Sequence, residues 1–139
     1  MDERELGAFL TSAKRYGVIA TAAKDGAPQA ALVGLAVASN LEIIFDTIDT
    51  SRKVENLRRE NRAAAVILCE GEVTVQCEGI ARLLVGSDLE HCKAAYFSVW
   101  PDGVEREHWP GIAYVAIRPL WIRYSDFGKS PPEIAEFRF

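Results

Sequence analysis

The stretch GVIATAAKDGAPQAALVGLAVA, residues 17–38, determines the fold class of the chain. Two apolar runs flank a short polar break, Lys24 to Pro28, and an Asp-Gly pair between apolar runs is a β-hairpin signal. A second break at Ser39-Asn40 leads into a further apolar segment, Leu41 to Asp46. These segments predict a three-stranded antiparallel meander, which leaves no room for the crossover helices of a parallel sheet.

Strand patterns continue through the rest of the chain. Ala63 to Cys69 is continuously apolar, and the residues from Val73 to Gly79 alternate between apolar and polar. Gly79 lies within this long strand and predicts a bulge or bend. Ile112 to Tyr124 predicts a last strand, followed by a tail from Glu133 to Phe139. Five or six strands with short turns favour a mainly β fold, a closed or nearly closed antiparallel barrel.

Three helices are expected beside the strands. Apolar residues at helical spacing predict an amphipathic helix over the first fifteen residues, ending near Tyr16-Gly17. The charged segment from Asp49 to Arg62 predicts a short helix whose N-cap is one of its first three residues. Ser87 and Glu90 have the spacing of a capping box, which predicts the start of a third helix.

Length and charge limit the possible functions. The chain has 139 residues, of which 49% are apolar and 26% charged, as in an ordinary folded protein, and we expect one domain over residues 1–139. Twenty acidic against sixteen basic residues give a net charge of −4. A mildly acidic protein has no general field that collects DNA or RNA, so we expect no nucleic-acid partner.

We expect the protein to be cytoplasmic and to have no membrane partner. Its N-terminus, Met1 to Glu5, is charged and lacks the layout of a signal peptide, and no stretch approaches the ~18 consecutive apolar residues of a membrane helix. The three cysteines show no C-x-x-C spacing, which favours neither a disulfide framework nor a zinc site. They are expected to be small buried apolar residues.

The segment from Phe45 to Lys53 contains the strongest candidate for a binding site. Acidic residues are favoured in the first turn of a helix, yet Arg52 and Lys53 occupy this turn. Free backbone N–H groups beside two cations could bind a phosphate, whose charge would relieve the conflict. The alternative is a solvated basic patch paired with acidic residues of the same helix. Hydroxyl groups nearby come from Thr47, Thr50 and Ser51.

Five short motifs occur in order within residues 5–85: Gly17-Val-Ile-Ala-Thr, Asp25-Gly26-x-Pro28, Phe45-x-Thr47, Ser51-Arg52-Lys53 with Asn56-Leu57, and Arg62-Ala-Ala-Ala-Val. Together they resemble the pyridoxamine 5′-phosphate oxidase-like family of FMN-binding split barrels. The resemblance implies a six-stranded antiparallel Greek-key split β-barrel with three flanking helices. It also implies a homodimer that binds FMN in clefts between its two subunits.

The resemblance assigns residues to the phosphate of FMN. Arg52 and Lys53 are similar to the family's phosphate-binding pair, with Ser51 and Thr47 as hydroxyl donors beside it. These four residues are the main candidates for cofactor binding. No metal site is expected.

The resemblance also assigns residues to the flavin ring. In the family the second strand runs along the ring mainly through backbone groups, which makes Leu32 and Val33 candidate neighbours of the ring. A glutamine of the family lies near the flavin on the strand that ends here at Gly79. Counting back from Gly79 gives Thr74 at this position, and Gln76 follows on the same face.

Three departures from the family pattern affect the expected function. An ungapped count finds Ala31 and Ala36 where the vitamin-making oxidases have an arginine and a lysine, and Asp46 stands where a tyrosine is usual. With fewer cations, we expect looser FMN binding. We also expect that the protein is not a true pyridoxamine phosphate oxidase.

The function expected from the sequence is an FMN-dependent oxidoreductase that acts on an unidentified small-molecule substrate as a homodimer. Two alternatives stay open: a flavin-binding module or sensor without turnover, and a relative that binds a deazaflavin or haem. No side chain is assigned to catalysis. The roles of His91, His108 and Trp109 are also left open.

Overall fold

The chain forms seven strands and four helices, and the computed structural model describes all of residues 1–139. In chain order these elements are α1 (Glu3–Thr11), β1 (Arg15–Ala22), β2 (Pro28–Val37), β3 (Ile43–Ile48), α2 (Arg52–Arg59), β4 (Arg62–Leu68), β5 (Val73–Leu83), α3 (Gly86–Val99), α4 (Gly103–Arg106), β6 (Ile112–Asp126) and β7 (Glu133–Arg138).

Six antiparallel strands close into a barrel. The strand order is β3-β2-β1-β4-β5-β6, and additional pairing between β3 and β6 joins the two ends. The predicted hairpin forms around Asp25-Gly26, and β1, β2 and β3 form the predicted meander. The mainly β, six-stranded antiparallel barrel is therefore confirmed, with three helices of more than one turn beside it.

The barrel is split between β2 and β3. These strands pair only through Ala36 with Ile44 and Val37 with Ile43. From Pro28 to Leu35, β2 has β1 as its only paired neighbour. The backbone groups of β2 that point away from β1 are therefore left without a strand partner along this length.

The two faces of the sheet pack against two separate apolar cores. One core fills the barrel and includes Leu35, Phe45 and Ile117. The other lies outside the barrel wall, where α3 packs on the sheet, and includes Ile44 and Trp100. Consecutive residues of β2 and β3 alternate between these cores, as the side chains of a strand must.

The predicted bulge at Gly79 is confirmed. The pairing of β5 with β6 shifts register between Glu78 and Gly79. At this point β5 comes so close to β6 that a side chain on residue 79 would meet the backbone of Arg118. Glycine is therefore required by the close approach of two strands.

Two expectations about the helices are wrong in detail. α1 ends at Thr11, because Arg15 already belongs to β1 and its guanidinium donates to the C=O groups of Phe9 and Leu10 at the helix end. The predicted capping box of Ser87 does not form, and α3 begins at Gly86 without a side-chain cap.

The start of α3 explains the missing capping box. Val85 takes the N-cap position, so Ser87 already lies inside the helix, and the carboxylate of Glu90 accepts from Nζ of Lys93 at 3.1 Å. α2 begins after Ser51, which is one of the three N-caps expected for it.

The C-terminal tail is a strand, which the sequence reasoning missed. β7 pairs with Trp121–Asp126 of β6, and the one-turn helix α4 lies in the loop before β6. Cys77 and Cys92 are buried and Cys69 is half-buried, and all three thiols are free. None of the four helices has the length and apolar character that a membrane-spanning segment needs.

We predict that Gly79→Ala destabilises the barrel. The added Cβ atom would overlap the C=O oxygen of Arg118, which is backbone and cannot rotate away. The expected loss is about 1–3 kcal/mol in the free energy of unfolding, measured by urea denaturation.

Gly7→Ala is the matched control for this substitution. Gly7 lies in α1, where an added Cβ atom would be 3.6 Å from Leu41, an ordinary contact. Alanine there should stabilise the protein by about 0.5–1 kcal/mol. A Gly79→Ala variant as stable as the wild type would contradict the close packing at the bulge.

Candidate functional site

A cleft of about 320 Å³ lies where α2 meets β1 and β2. Its floor is made by residues of β1 and β2, and both candidate cations stand at its wall. Val54 and Leu57 are buried beneath α2 and fix the helix on the barrel end. The lining residues are Ile19, Thr21, Gln29, Ala30, Ala31, Arg52 and Lys53.

The first turn of α2 has free hydrogen-bonding groups. The N-cap Ser51 makes no side-chain bond to the helix, and its Oγ lies 3.3 Å from Oγ1 of Thr47. The N–H of Ser51 bonds to Ile48 and that of Glu55 bonds to Ser51, whereas the three N–H groups between them have no backbone partner. The turn can therefore donate several hydrogen bonds to an anion.

The fold places Thr47 beside Ser51, and it places Arg52 and Lys53 in the wall of the cleft. The assignment of these four residues to a phosphate stays a prediction. Lys53 is half-buried, and burial lowers the pKa of its ammonium group, against a smaller opposing effect of Asp46. A partly desolvated cation gains more from an anion than one in bulk water does. Both cations line the cleft, which favours an anion site over a patch fully surrounded by water.

Asp46 is held by an arginine from the loop before β6. Nε of Arg106 donates to Oδ2 of Asp46 at 2.8 Å, and the same guanidinium bonds to Asp102 at 3.0 Å and to the hydroxyl of Tyr96 at 3.2 Å. Burial and the charge of Asp46 raise the pKa of Tyr96, so its hydroxyl stays protonated at neutral pH. The carboxylate of Asp46, which would repel a nearby phosphate, is therefore compensated by a counter-ion.

Sequence reasoning missed Arg106 and Gln29. Arg106 lies sixty residues from Asp46, and only the unusual acidic residue beside a cation pair suggested that a counter-ion was needed. Gln29 is an ordinary polar residue of a strand, and no spacing marks it. Its place in the cleft follows from the packing of α2 on the barrel.

The residues assigned to the flavin ring lie apart from the cation pair. Leu32 is 63% exposed on the outer face of the sheet, whereas Val33 turns inward and packs against the barrel core. Thr74 and Gln76 are exposed on the outer face of β5. Within one chain these side chains and the cleft do not face a common cavity, and the assignments stay predictions.

The outer face that carries Leu32 is apolar and continuous. The register places Val18 of β1 between Leu32 and Val66, and Val66 opposite Gln76. Leu32 and Val66 are both exposed there. We call the row formed by these four residues the outer row.

The aromatic and histidine candidates take different positions. Trp100 is buried in the outer core, and its Nε1 donates to the C=O of Leu35 at 2.8 Å, so it packs against the sheet. Trp109 is exposed in the loop, and His91 and His108 lie on the surface. None of these last three residues lines the cleft.

A split antiparallel barrel with a cation-bearing helix over its open end defines a class of cofactor-binding barrels. The chain matches the family model described as pyridoxamine 5′-phosphate oxidase over residues 3–126. It therefore belongs to the pyridoxamine 5′-phosphate oxidase family. No curated protein matches the chain.

Solved structures share the fold at low sequence identity. A haem-binding protein from Mycobacterium smegmatis is 16% identical with a TM-score of 0.84, and the match covers 99% of this chain and 58% of that one. The chain thus spans little more than half the length of that protein. General Stress Protein 26 from Bacillus anthracis is 20% identical with a TM-score of 0.74, and both chains are covered completely.

A third structure is a pyridoxamine 5′-phosphate oxidase-related, FMN-binding protein from Nostoc punctiforme. It is 12% identical with a TM-score of 0.67, and the match covers 90% of this chain and 86% of that one. At these identities the likeness establishes the fold alone.

The two alanines expected at the positions of family cations have different surroundings in the structure. Ala31 lines the cleft beside Arg52 and Lys53. Ala36 is 2% exposed and packs in the outer core against residues such as Ile44. A new cation would therefore point into the cleft at residue 31 and into an apolar core at residue 36.

We predict opposite outcomes for Ala31→Arg and Ala36→Lys. Ala31→Arg should tighten FMN binding by up to about 1–2 kcal/mol, because the added guanidinium faces the cleft. Ala36→Lys should lower the melting temperature, because it buries an unpaired cation. Flavin titrations and thermal melts of both variants measure the two effects. Unchanged FMN affinity in a folded Ala31→Arg variant would contradict the expected position of the phosphate in the cleft.

Proposed function

We propose that the protein is an FMN-dependent oxidoreductase that acts on a small molecule. The observation that carries this proposal is the cleft in which Arg52 and Lys53 stand at the free N–H groups of α2, beside the unpaired edge of β2. Membership in the family and the fold shared with an FMN-binding protein support it.

The residues of the cleft fit the phosphate end of FMN. Arg52 and Lys53 supply two positive charges, and the first turn of α2 supplies N–H donors along its dipole. The hydroxyl groups of Thr47 and Ser51 stand next to this turn and can donate as well. This donor set suits a dianion better than a neutral ligand.

The open edge of β2 fits the flavin ring. Between Pro28 and Leu35, the backbone N–H and C=O groups of β2 that point away from β1 have no strand partner. They can form hydrogen bonds with the polar edge of a flat heterocycle. Leu32 and Val33 lie on this stretch. When bound, FMN would supply the redox chemistry, while the chain binds and orients it.

Haem is the second candidate, because the protein from Mycobacterium smegmatis with the highest TM-score reported above is a haem-binding protein. Histidine is a common axial ligand of haem iron, and both histidines of this chain lie on the surface outside the cleft. The cation pair therefore favours a phosphate-bearing flavin. An absorption spectrum of freshly purified protein separates the two, since haem gives a Soret band.

We predict that replacing both Arg52 and Lys53 with alanine weakens FMN binding by about 2–4 kcal/mol, because each charge-assisted hydrogen bond contributes roughly 1.5–3 kcal/mol without full additivity. Riboflavin has the same ring and no phosphate, so its affinity should change little. Fluorescence titrations with both flavins measure the difference.

Arg58→Ala is the matched control for this pair. Arg58 is exposed on the same helix but does not line the cleft, so its loss shows the effect of removing one positive charge from α2 outside the cleft. It should leave both affinities near their wild-type values. If the double variant kept wild-type FMN affinity at low salt, the phosphate assignment would be wrong.

We further propose that two copies of the chain form the working unit. Three of the four residues of the outer row are apolar, and two of them, Leu32 and Val66, are exposed, which is unusual for the surface of a monomer. Gln76 lies at the end of this row on β5, which is separated from β2 by β1 and β4. A second copy packed on the row would cover it and could bring Thr74 and Gln76 of one subunit near the flavin of the other.

Leu32→Glu tests this proposal, because a charge within a buried apolar interface is unfavourable. We predict a dimer for the wild type and a monomer for the variant in analytical ultracentrifugation. Val85→Glu is the control, since Val85 is also a highly exposed apolar residue but lies before α3, away from the outer row. A wild type that stays monomeric at micromolar concentration would contradict the dimer.

A further inference from the structure

Asp46 lies directly before the residues of the candidate anion site. The next residue, Thr47, has its Oγ1 3.3 Å from Oγ of Ser51, the N-cap of α2. Successive side chains of a strand point to opposite faces, so Asp46 and Thr47 lie on opposite faces of β3. A negative charge this close to the first turn of α2 would attract Lys53 and repel an anion unless a cation balances it.

Water screens the charge of Asp46 poorly. Its side chain is only 14% exposed, and the buried Tyr114 lies opposite it in the register of β3 and β6. Charges interact more strongly where water is largely excluded. The carboxylate of Asp46 partly opposes the effect by which burial lowers the pKa of Lys53, so its field reaches that ammonium group.

Arg106 is the counter-ion of Asp46, and its guanidinium is held at three points. Nε donates to Oδ2 of Asp46 at 2.8 Å, Nη1 to Asp102 at 3.0 Å and Nη2 to the hydroxyl of Tyr96 at 3.2 Å. Each nitrogen has a different acceptor, which suits the fork of donors that a guanidinium presents. Three acceptors fix a side chain that is 22% exposed, so its positive charge stays beside Asp46.

The loop that carries Arg106 has a second anchor close to α2. The N–H of Asp49 donates to the C=O of Gly111 at 2.7 Å. Gly111 has a φ of +76°, and an added Cβ atom would lie 2.8 Å from Oδ1 of Asp49, so only glycine fits here. The loop is thus bound to residues 46 and 49, which lie directly before α2.

We propose that Arg106 determines the selectivity of the site for a phosphorylated ligand, by neutralising Asp46 so that Lys53 remains available to the phosphate. It is a positioning residue, since it acts on the ligand through Asp46 and Lys53 rather than by contact. The inference rests on the proposed function, because that function assigns the phosphate to Lys53. A ligand without a phosphate offers no charge to Lys53, so Arg106 should not affect its affinity.

The two charges of the pair have opposite effects on an anion. Loss of Arg106 alone leaves Asp46 unbalanced, and its carboxylate then competes with the phosphate for Lys53. Loss of the carboxylate alone leaves the positive charge of Arg106 in surplus, which favours an anion. Loss of both removes equal and opposite charges and restores the balance. A merely structural role predicts no such restoration, because neither substitution would repair the packing lost through the other.

The first test compares FMN with riboflavin in fluorescence titrations of Arg106→Met, Asp46→Asn and the double variant. We expect Arg106→Met to lower FMN affinity at least about fivefold, and the double variant to return it to within about twofold of the wild type. Asp46→Asn alone should raise FMN affinity about twofold or more. Riboflavin affinity should change little in all three variants.

Two outcomes of these titrations would overturn the inference. One is FMN affinity that stays low in the double variant. The other is unchanged FMN affinity in Asp46→Asn, a result that can be obtained even where Arg106→Met fails to fold.

Arg106→Lys separates the charge of the side chain from its shape. Lysine keeps a positive charge beside Asp46 but lacks the fork of donors, so FMN affinity should stay within about threefold of the wild type. A loss as large as that in Arg106→Met would overturn the inference, because charge would not be the cause. Thermal melts show whether each variant is folded.

Lys93→Met is the control for the loss of a cation on this side of the sheet. Lys93 lies on α3 and pairs with Glu90 at 3.1 Å and Glu107 at 3.9 Å rather than with Asp46. Its loss should leave FMN affinity near the wild-type value. A loss as large as that in Arg106→Met would show that the pair of Arg106 and Asp46 has no special role, and would overturn the inference.

The second test needs no cofactor. In NMR titrations of the free protein, the ¹⁵Nζ signal of Lys53, assigned by its loss in Lys53→Ala, reports the pKa of the ammonium group. We expect this pKa to be higher in Arg106→Met than in the wild type, because an unbalanced carboxylate favours the charged form, and to return in the double variant. An equal pKa in the wild type and Arg106→Met would overturn the inference. Wild-type protein that bound neither flavin would instead overturn the proposed function, while the titrations of Lys53 still decided the role of Arg106.

Discussion

Two residue pairs, Ala36 with Ile44 and Val37 with Ile43, are all that join β2 to β3. The barrel nevertheless closes, because β3 pairs along its whole length with β6. The result is a stable wall with one open seam, along which the backbone of β2 has no strand partner. The position of the candidate site follows from this seam, since α2 covers the barrel end beside it and brings its first turn next to β2.

The charges near the seam come from segments that are far apart in the sequence. The first turn of α2 carries two cations against the direction of the helix dipole, which is unfavourable without an anion. Asp46 lies near them and would reduce their effect, but Arg106 compensates its charge from the loop before β6. The field in the cleft therefore depends on how that loop packs on β3.

Sequence patterns predicted most of the fold because the relevant signals are local. The Asp-Gly turn, the alternation in β5 and Gly79 each depend on neighbouring residues, and all three appear in the structure as expected. The predicted cap of α3 is wrong because the helix already begins at Gly86, which places Ser87 inside it. β7 was missed because six residues after two prolines carry too short a pattern to separate a strand from a tail.

The candidate site was predictable only in part. The motif around Arg52 and Lys53 is continuous in sequence, so its residues could be named without a structure. Gln29 and Arg106 lie beside residues that are more than twenty positions away in the sequence, and no local pattern marks such neighbours. The ring-side residues also need a second copy of the chain to complete their surroundings, which a single sequence does not describe.

The most direct test of the account is a crystal structure of the protein soaked or co-crystallised with FMN. We predict that the phosphate lies within hydrogen-bond distance of Nζ of Lys53, the guanidinium of Arg52 and the free N–H groups of α2. The flavin ring should run along the unpaired edge of β2. An FMN phosphate bound elsewhere, with the first turn of α2 facing only solvent, would contradict the central claim.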